Sequence, residues 1–316
     1  TIYAAADRRL VVTEPMGGGS TMLMEWSPTR PGHWLFHCHL SFHVSPEFRL
    51  PGAIDLDPDA HAVHMAGLVV GIEVAPGPSD VIAHGPVRRL DLYATEVGDE
   101  DGYRYAFTRD AARVPAPGED TPGPMLVFEQ HEAADVTVHN RLGVHTSVHW
   151  HGLELDAWAD GVPHFSASDG RMSPAIAPGD SFTYRLSFLR AGTFIYHSHL
   201  DDVHQLAGGL YGALIVLPPG ERFEPRTDHV AIFGWSTPAP DTITDRELNG
   251  RAEQPPGRAR VGERHRFRLI NITPASQIGA WLVRDGEAVP VVLHAKDGAD
   301  LPRRVSGGDR RTPRPP

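Results

Sequence analysis

Three histidines and the chain's single cysteine fall within seven residues, His37-Cys38-His39-Leu40-Ser41-Phe42-His43. Gly32-His33-Trp34-Leu35-Phe36 ahead of them reads as the opening of a β-strand, along which successive side chains point to opposite faces. His37 and His39 are therefore expected on one face and Cys38 on the other. Thiolate and imidazole suit copper, and a Cys with two His and a weak axial ligand makes a blue electron-transfer site. Cys38 and His43 fit such a site, with His37 and His39 turned toward a second metal site behind the strand. The peptide links from Cys38 to its two neighbours would then be a short covalent route for electrons. The bland alternative is a buried free cysteine among incidental histidines.

Two further pairs repeat the pattern, His149-x-His151 and His197-x-His199. In each, alternate residues of a strand place two imidazoles on one face. One such pair is weak evidence, but three in a β-rich chain reinforce each other. Six imidazoles exceed what one four-coordinate zinc needs. They imply a metal cluster, built where separate β units meet.

The elements that must position these residues are strands. Segments such as Asp135-Val136-Thr137-Val138-His139-Asn140, Ser181-Phe182-Thr183-Tyr184-Arg185-Leu186 and Leu210-Tyr211-Gly212-Ala213-Leu214-Ile215-Val216 recur at regular spacing between Gly and Pro turns, the pattern of a sandwich or barrel. No long amphipathic helix is evident, and His199 to Gln205 reads as a short helical turn. The chain is expected to be all-β. A first β unit covers residues 1–75, a Pro- and Gly-rich linker 76–88, a second unit 89–219, the start of a further unit 220–300, and a disordered tail 301–316.

Composition narrows the classes. At 316 residues the chain is long enough for about two domains. A formal charge of −11 argues against nucleic acid, which wants a basic surface. No apolar run reaches the ~18 residues of a membrane span. One cysteine excludes an internal disulfide framework. The chain starts at Thr1 with no signal pattern before it, and it reads as a fragment of a longer gene.

These motifs resemble a known family, the multicopper oxidases, which include laccases. His149-Trp150-His151-Gly152-Leu153, Trp158-Ala159-Asp160-Gly161, Gly192-Thr193-Phe194-Ile195-Tyr196-His197-Ser198-His199 and Gly209 to Val216 look like a first cupredoxin domain of that family. Gly262 to Asn271 resembles the start of its second domain, and His37 to His43 the final motif of its last domain. The resemblance implies cupredoxin-like Greek-key β-sandwich domains, the first and last incomplete. It implies that Cys38 and His43 bind type-1 copper, that His37, His39, His151, His197 and His199 bind the type-3 pair, and that His149 binds the type-2 copper. Leu68 takes the axial position by motif, with Met65 close by, and Asp160 matches an acid used for proton delivery. The implied reaction takes single electrons from a small-molecule or metal-ion reductant and reduces oxygen to water. The implied setting is periplasmic or secreted.

Three departures stand out. The family's other His-x-His-Gly motif is missing, so six of its eight cluster histidines are present. A last-domain motif precedes a first-domain one. Phe42 stands where several members carry an acid. A copper-binding or electron-transfer protein without oxygen chemistry is therefore the second reading, and a copper nitrite reductase a third. A homo-oligomer that closes the cluster between chains also stays open.

Overall fold

The computed structural model describes residues 2–4, 9–44, 67–77, 87–99, 102–113, 122–236, 245–251, 257–273 and 276–301. Met65, most of the 76–88 linker and the 302–316 tail lie outside the described residues.

The chain is nearly all-β. Three short strands, β1 (Ile2–Ala4), β2 (Arg9–Val11) and β3 (Met24–Trp26), form a small antiparallel sheet with β1 in the middle. A two-stranded ribbon follows, β4 (Gly32–His37) and β5 (Val69–Val74), in register from Gly32↔Val74 to His37↔Val69. Between them, among the described residues, stands one helical turn, α1 (Ser41–Val44).

The second unit is a sandwich. Its strands are β6 (Val87–Asp99), β7 (Gly102–Thr108), β8 (Gly123–Glu129), β9 (Ala133–Asn140), β10 (Val148–His151), the small hairpin β11 (Ala167–Ser168) and β12 (Arg171–Met172), β13 (Ser181–Ser187), β14 (Gly192–Ser198) and β15 (Tyr211–Leu217). One sheet has the order β13-β9-β6-β7 and the other β10-β14-β15-β8. Each contains one parallel pair, β6 with β9 and β8 with β15, so strands distant in sequence lie side by side. In β9 every second residue from Ala134 onward is buried, the alternation that buries one face of a strand. Leu92, Phe107, Phe128, Val136, Trp150 and Tyr196 fill the space between the sheets.

β15 breaks the alternation, because all seven of its residues are buried. A third unit covers its outer face: β16 (Asp228–Ser236), β17 (Asp245–Leu248) and β18 (Arg266–Asn271), with Ile232, Ile270 and Ile272 packed on Tyr211, Ala213 and Ile215. A strand covered on both faces reads as a continuous apolar run, which is what Tyr-Gly-Ala-Leu-Ile-Val-Leu is. Two short hairpins end the described chain, β19 (Val283–Arg284) with β20 (Glu287–Ala288) and β21 (Ala295–Lys296) with β22 (Ala299–Asp300). Both turn on Asp-Gly pairs whose residues all have positive φ, Asp285-Gly286 and Asp297-Gly298. Positive φ at both central residues is the geometry of the tight hairpin turn that favours this dipeptide.

The β4–β5 ribbon docks on the loop after β10. Arg30 donates to the Asp156 carboxylate at 2.7 Å, and the His33 ring lies 5.8 Å from that of Phe165. This dock carries the end of β4 over the sheet that holds β10 and β14. No helix among the described residues is long and apolar enough to cross a membrane.

Candidate metal centre

β10 and β14 are antiparallel neighbours in which His149 sits directly opposite His197. The His-x-His spacing on each strand therefore gathers four imidazoles: the His149 ring centre is 5.4 Å from His151, 5.4 Å from His197 and 5.1 Å from His199. The ligand nitrogens of His149, His151 and His197 all lie within 4.8 Å of one another.

The end of β4 adds the remaining two. His39 Nε2 is 3.3 Å from His151 Nδ1, and the His37 ring is 5.9 Å from that of His199. All six imidazoles of the three His-x-His pairs thus meet in one place within one chain. The strand alternation expected through His37-Cys38-His39 stops early, however, because β4 ends at His37. Cys38 keeps one backbone bond to the ribbon, from its N–H to the Leu68 carbonyl at 2.9 Å, and the chain then turns into α1. That turn returns His43 to Cys38, with Sγ and His43 Nδ1 3.2 Å apart. Leu68 N–H donates to the His43 carbonyl, which ties Leu68 to both residues through its backbone, while its side chain is exposed.

Orientation of the imidazoles comes mostly from carbonyl groups. The Nδ1–H groups of His37, His197 and His149 donate to the carbonyls of Cys38 (2.8 Å), Ser198 (2.7 Å) and Asp160 (2.6 Å). A hydrogen bond at one ring nitrogen fixes which nitrogen is bare. Here it leaves Nε2 bare on all three rings. His197 Nε2 is buried with no hydrogen-bond partner, a cost that a metal ion would remove. The Asp160 carboxylate stands 3.5 Å from His149 Nδ1, so Asp160 faces the cluster through both its carbonyl and its side chain.

A buried polar network that the sequence motifs do not reveal supports β14 from behind. Gln205 Oε1 accepts from the Thr146 and Ser198 hydroxyls at 2.7 and 2.6 Å, and its amide donates to the His145 carbonyl. Gln205 lies in a π-type turn, Asp202–Leu206, where a simple helical turn was expected. From that turn its side chain reaches Ser198, the residue between His197 and His199.

Burial pushes His37 below its ordinary pKa, and His151 and His197 well below it; His39 is pushed down to about 4. Desolvation is the leading cause in each, with mutual repulsion of the imidazoles behind it. His197 is 3% exposed, whereas His39 is solvent-exposed at the rim of the cluster. Neutral imidazole is the form that ligates metal. A lowered folded pKa means that the unfolded chain binds more protons between the two values, so stability rises with pH across that window. The metal-free protein is therefore expected to lose stability as pH falls from about 6.5 toward 4. Urea midpoints across that range check this, and a flat profile would contradict it.

The donor set fits copper: imidazoles and a thiolate, with ring nitrogens bared inward. Two multicopper oxidase family models match the chain, one over residues 103–221 and one over residues 3–52, and together they cover just over half of it. A laccase of Ustilaginoidea virens is 40% identical over 99 residues, which is 31% of this chain and 14% of that protein. A multicopper oxidase of Cercospora beticola is 32% identical over 178 residues, 55% of this chain and 25% of that protein. The crystal structure of a blue copper oxidase from Nitrosomonas europaea superposes with a TM-score of 0.46 at 26% identity, covering 60% of this chain and 62% of that one. The chain spans 14–25% of the length of these two curated relatives. One family match contains the Cys38 motif and the other contains both strand pairs of the imidazole cluster, and on that ground the chain belongs to the multicopper oxidase family, whose metal is copper.

Proposed function

We propose that this chain carries the copper-binding core of an oxidase that couples one-electron oxidation of a small reductant to the reduction of oxygen to water. The observation that carries the reading is the placement of Cys38 between His37 and His39 while those two imidazoles join four others. When bound, copper would supply single-electron transfer at a type-1 site and oxygen reduction at type-2 and type-3 sites.

Cys38 and His43 hold the type-1 position, with Leu68 as the axial neighbour. Met65 stays a second axial candidate on the sequence motif alone. His37, His39, His151, His197 and His199 hold the type-3 pair and His149 the type-2 position. Among them, His39 stands beside His151, His151 faces His197, and His37 stands beside His199. The Cys38 carbonyl accepts from His37 Nδ1, so one residue offers its thiol to the first site and orients a ligand of the second. Asp160 places a carboxylate beside His149, where it would serve the proton delivery that the family motif implies. The reductant class is a phenol, another small organic donor or a metal ion.

The specific observation that favours the second reading, electron transfer without oxygen chemistry, is the ligand count. Six cluster imidazoles are present among the described residues, and the type-2 position rests on His149 alone. Copper content and oxygen uptake with a phenol and with a metal-ion donor separate the two readings. The 316-residue chain is expected to bind less than a full set of coppers and to consume oxygen slowly. A longer protein that adds a His-Pro-x-His-x-His-Gly segment is expected to raise both. Copper loading of the longer protein with no oxygen uptake would leave electron transfer as the function.

A further inference from the structure

The His151 imidazole is oriented differently from those of His37, His149 and His197. His151 turns Nδ1, not Nε2, toward its cluster neighbour His39. Its outward Nε2 meets a side-chain hydroxyl, Thr13 Oγ1, at 3.4 Å. His37, His149 and His197 are fixed by backbone carbonyls, which no side-chain substitution removes. The partner of His151 can be deleted by one mutation.

Thr13 itself is held from the far end of the chain. Its N–H donates to Asp297 Oδ2 at 3.1 Å, and its carbonyl accepts from Lys296 Nζ at 3.3 Å. The same lysine pairs with Glu14 at 2.6 Å, and the Val12 N–H also reaches Asp297. Both backbone polar groups of Thr13 are thus engaged by the β21–β22 hairpin. That hairpin is anchored in turn on the β14 side of the sandwich, where Arg190 donates to the Gly298 carbonyl at 2.9 Å. An Asp-Gly turn therefore clamps a loop whose one inward hydroxyl touches a cluster ligand.

We infer that Thr13 is a positioning residue for His151: its hydroxyl accepts from Nε2–H, which selects the tautomer that leaves Nδ1 bare toward His39, and the Lys296-Asp297 hairpin holds Thr13 there. The inference rests on the copper reading only for its consequence, since the tautomer belongs to the metal-free chain. A partner of this kind typically governs metal affinity by about 10- to 100-fold.

The test uses the 316-residue chain with nitrogen-15 histidine. In the wild type, the His151 ring should show the Nε2–H tautomer by long-range proton–nitrogen correlation, with His151→Gln assigning the signal. Thr13→Val, close in shape but without the hydroxyl, should shift His151 toward the Nδ1–H tautomer and weaken copper(II) binding at least tenfold. Thr13→Ser should retain both properties. Asp297→Ala, which touches no imidazole, should reproduce a smaller part of the shift. If Thr13→Val shifts the tautomer while even the wild type binds no copper, the positioning role stands and the oxidase reading falls. An unchanged tautomer with unchanged copper affinity in folded Thr13→Val overturns the positioning role and leaves the oxidase reading intact.

Discussion

Cys38→Ser is expected to abolish the intense visible absorption of the copper-loaded protein while leaving copper at the imidazole cluster. The colour requires a copper–thiolate bond, and Cys38 is the chain's single thiol. The substitution is conservative for everything else the residue does. Its N–H still bonds the Leu68 carbonyl and its carbonyl still accepts from His37, because both contacts are backbone. His43 keeps its place on the α1 turn through its own N–H to the Leu40 carbonyl. The loss should therefore be spectroscopic and functional, not conformational. Absorption spectra and copper counts of the two proteins, side by side, check it. A surviving blue band would remove Cys38 from the type-1 position, and a lost cluster copper would show that the two sites are not separable as drawn.

Gly161→Ala should be among the most damaging single-methyl additions to the second unit. Gly161 has φ +94, and an added Cβ would lie 2.0 Å from the Val148 carbonyl oxygen and 2.9 Å from His149 Cα. The clash is with backbone, which cannot rotate away. Gly179 provides the control, because its φ is +84 and nothing lies within 4 Å of a Cβ there. Alanine at Gly179 should cost the left-handed penalty alone, about 1–2 kcal/mol. At Gly161 overpacking adds about 1–3 kcal/mol. The strand that must yield carries His149, and the residue before Gly161 supplies the carbonyl that orients that ring. Urea unfolding of both variants measures the difference, and copper affinity should fall in Gly161→Ala but not in Gly179→Ala. Equal costs at the two positions would mean that β10 relaxes freely, against the close approach described.

The parts of this site that were legible in the sequence are those set by local periodicity. His149, His151 and His197 show at once because alternation puts i and i+2 on one face, and two such strands that pair must bring their imidazoles together. The run Leu210 to Val216 was legible as a strand, but the cover on both of its faces was not, because the third unit that packs on it is set by distant contacts. Cys38 and His43 were legible by residue type, but their approach depends on a strand that stops at His37 and a single helical turn, which alternation alone misses. Gln205 was invisible because its role comes from a π-type turn that redirects one side chain. The Asp297-Gly298 turn is itself a strong local signal, yet nothing local pairs it with Val12 and Thr13. Contacts between chemically ordinary residues at great separation leave no periodic trace.

That last contact sets an order of assembly. The Val12–Asp297 bond joins residues 285 apart. Closing a loop of that length costs about 5 kcal/mol of chain entropy before any contact repays it. β10 and β14 are nearer in sequence and directly paired, so their four histidines can gather in an early, locally nucleated folding unit. His37 and His39 must wait for the ribbon to dock, and Thr13 for the two ends of the chain to meet. Refolding should pass through a species with four imidazoles in place and two absent, and the slowest step should be the one that brings the two ends together.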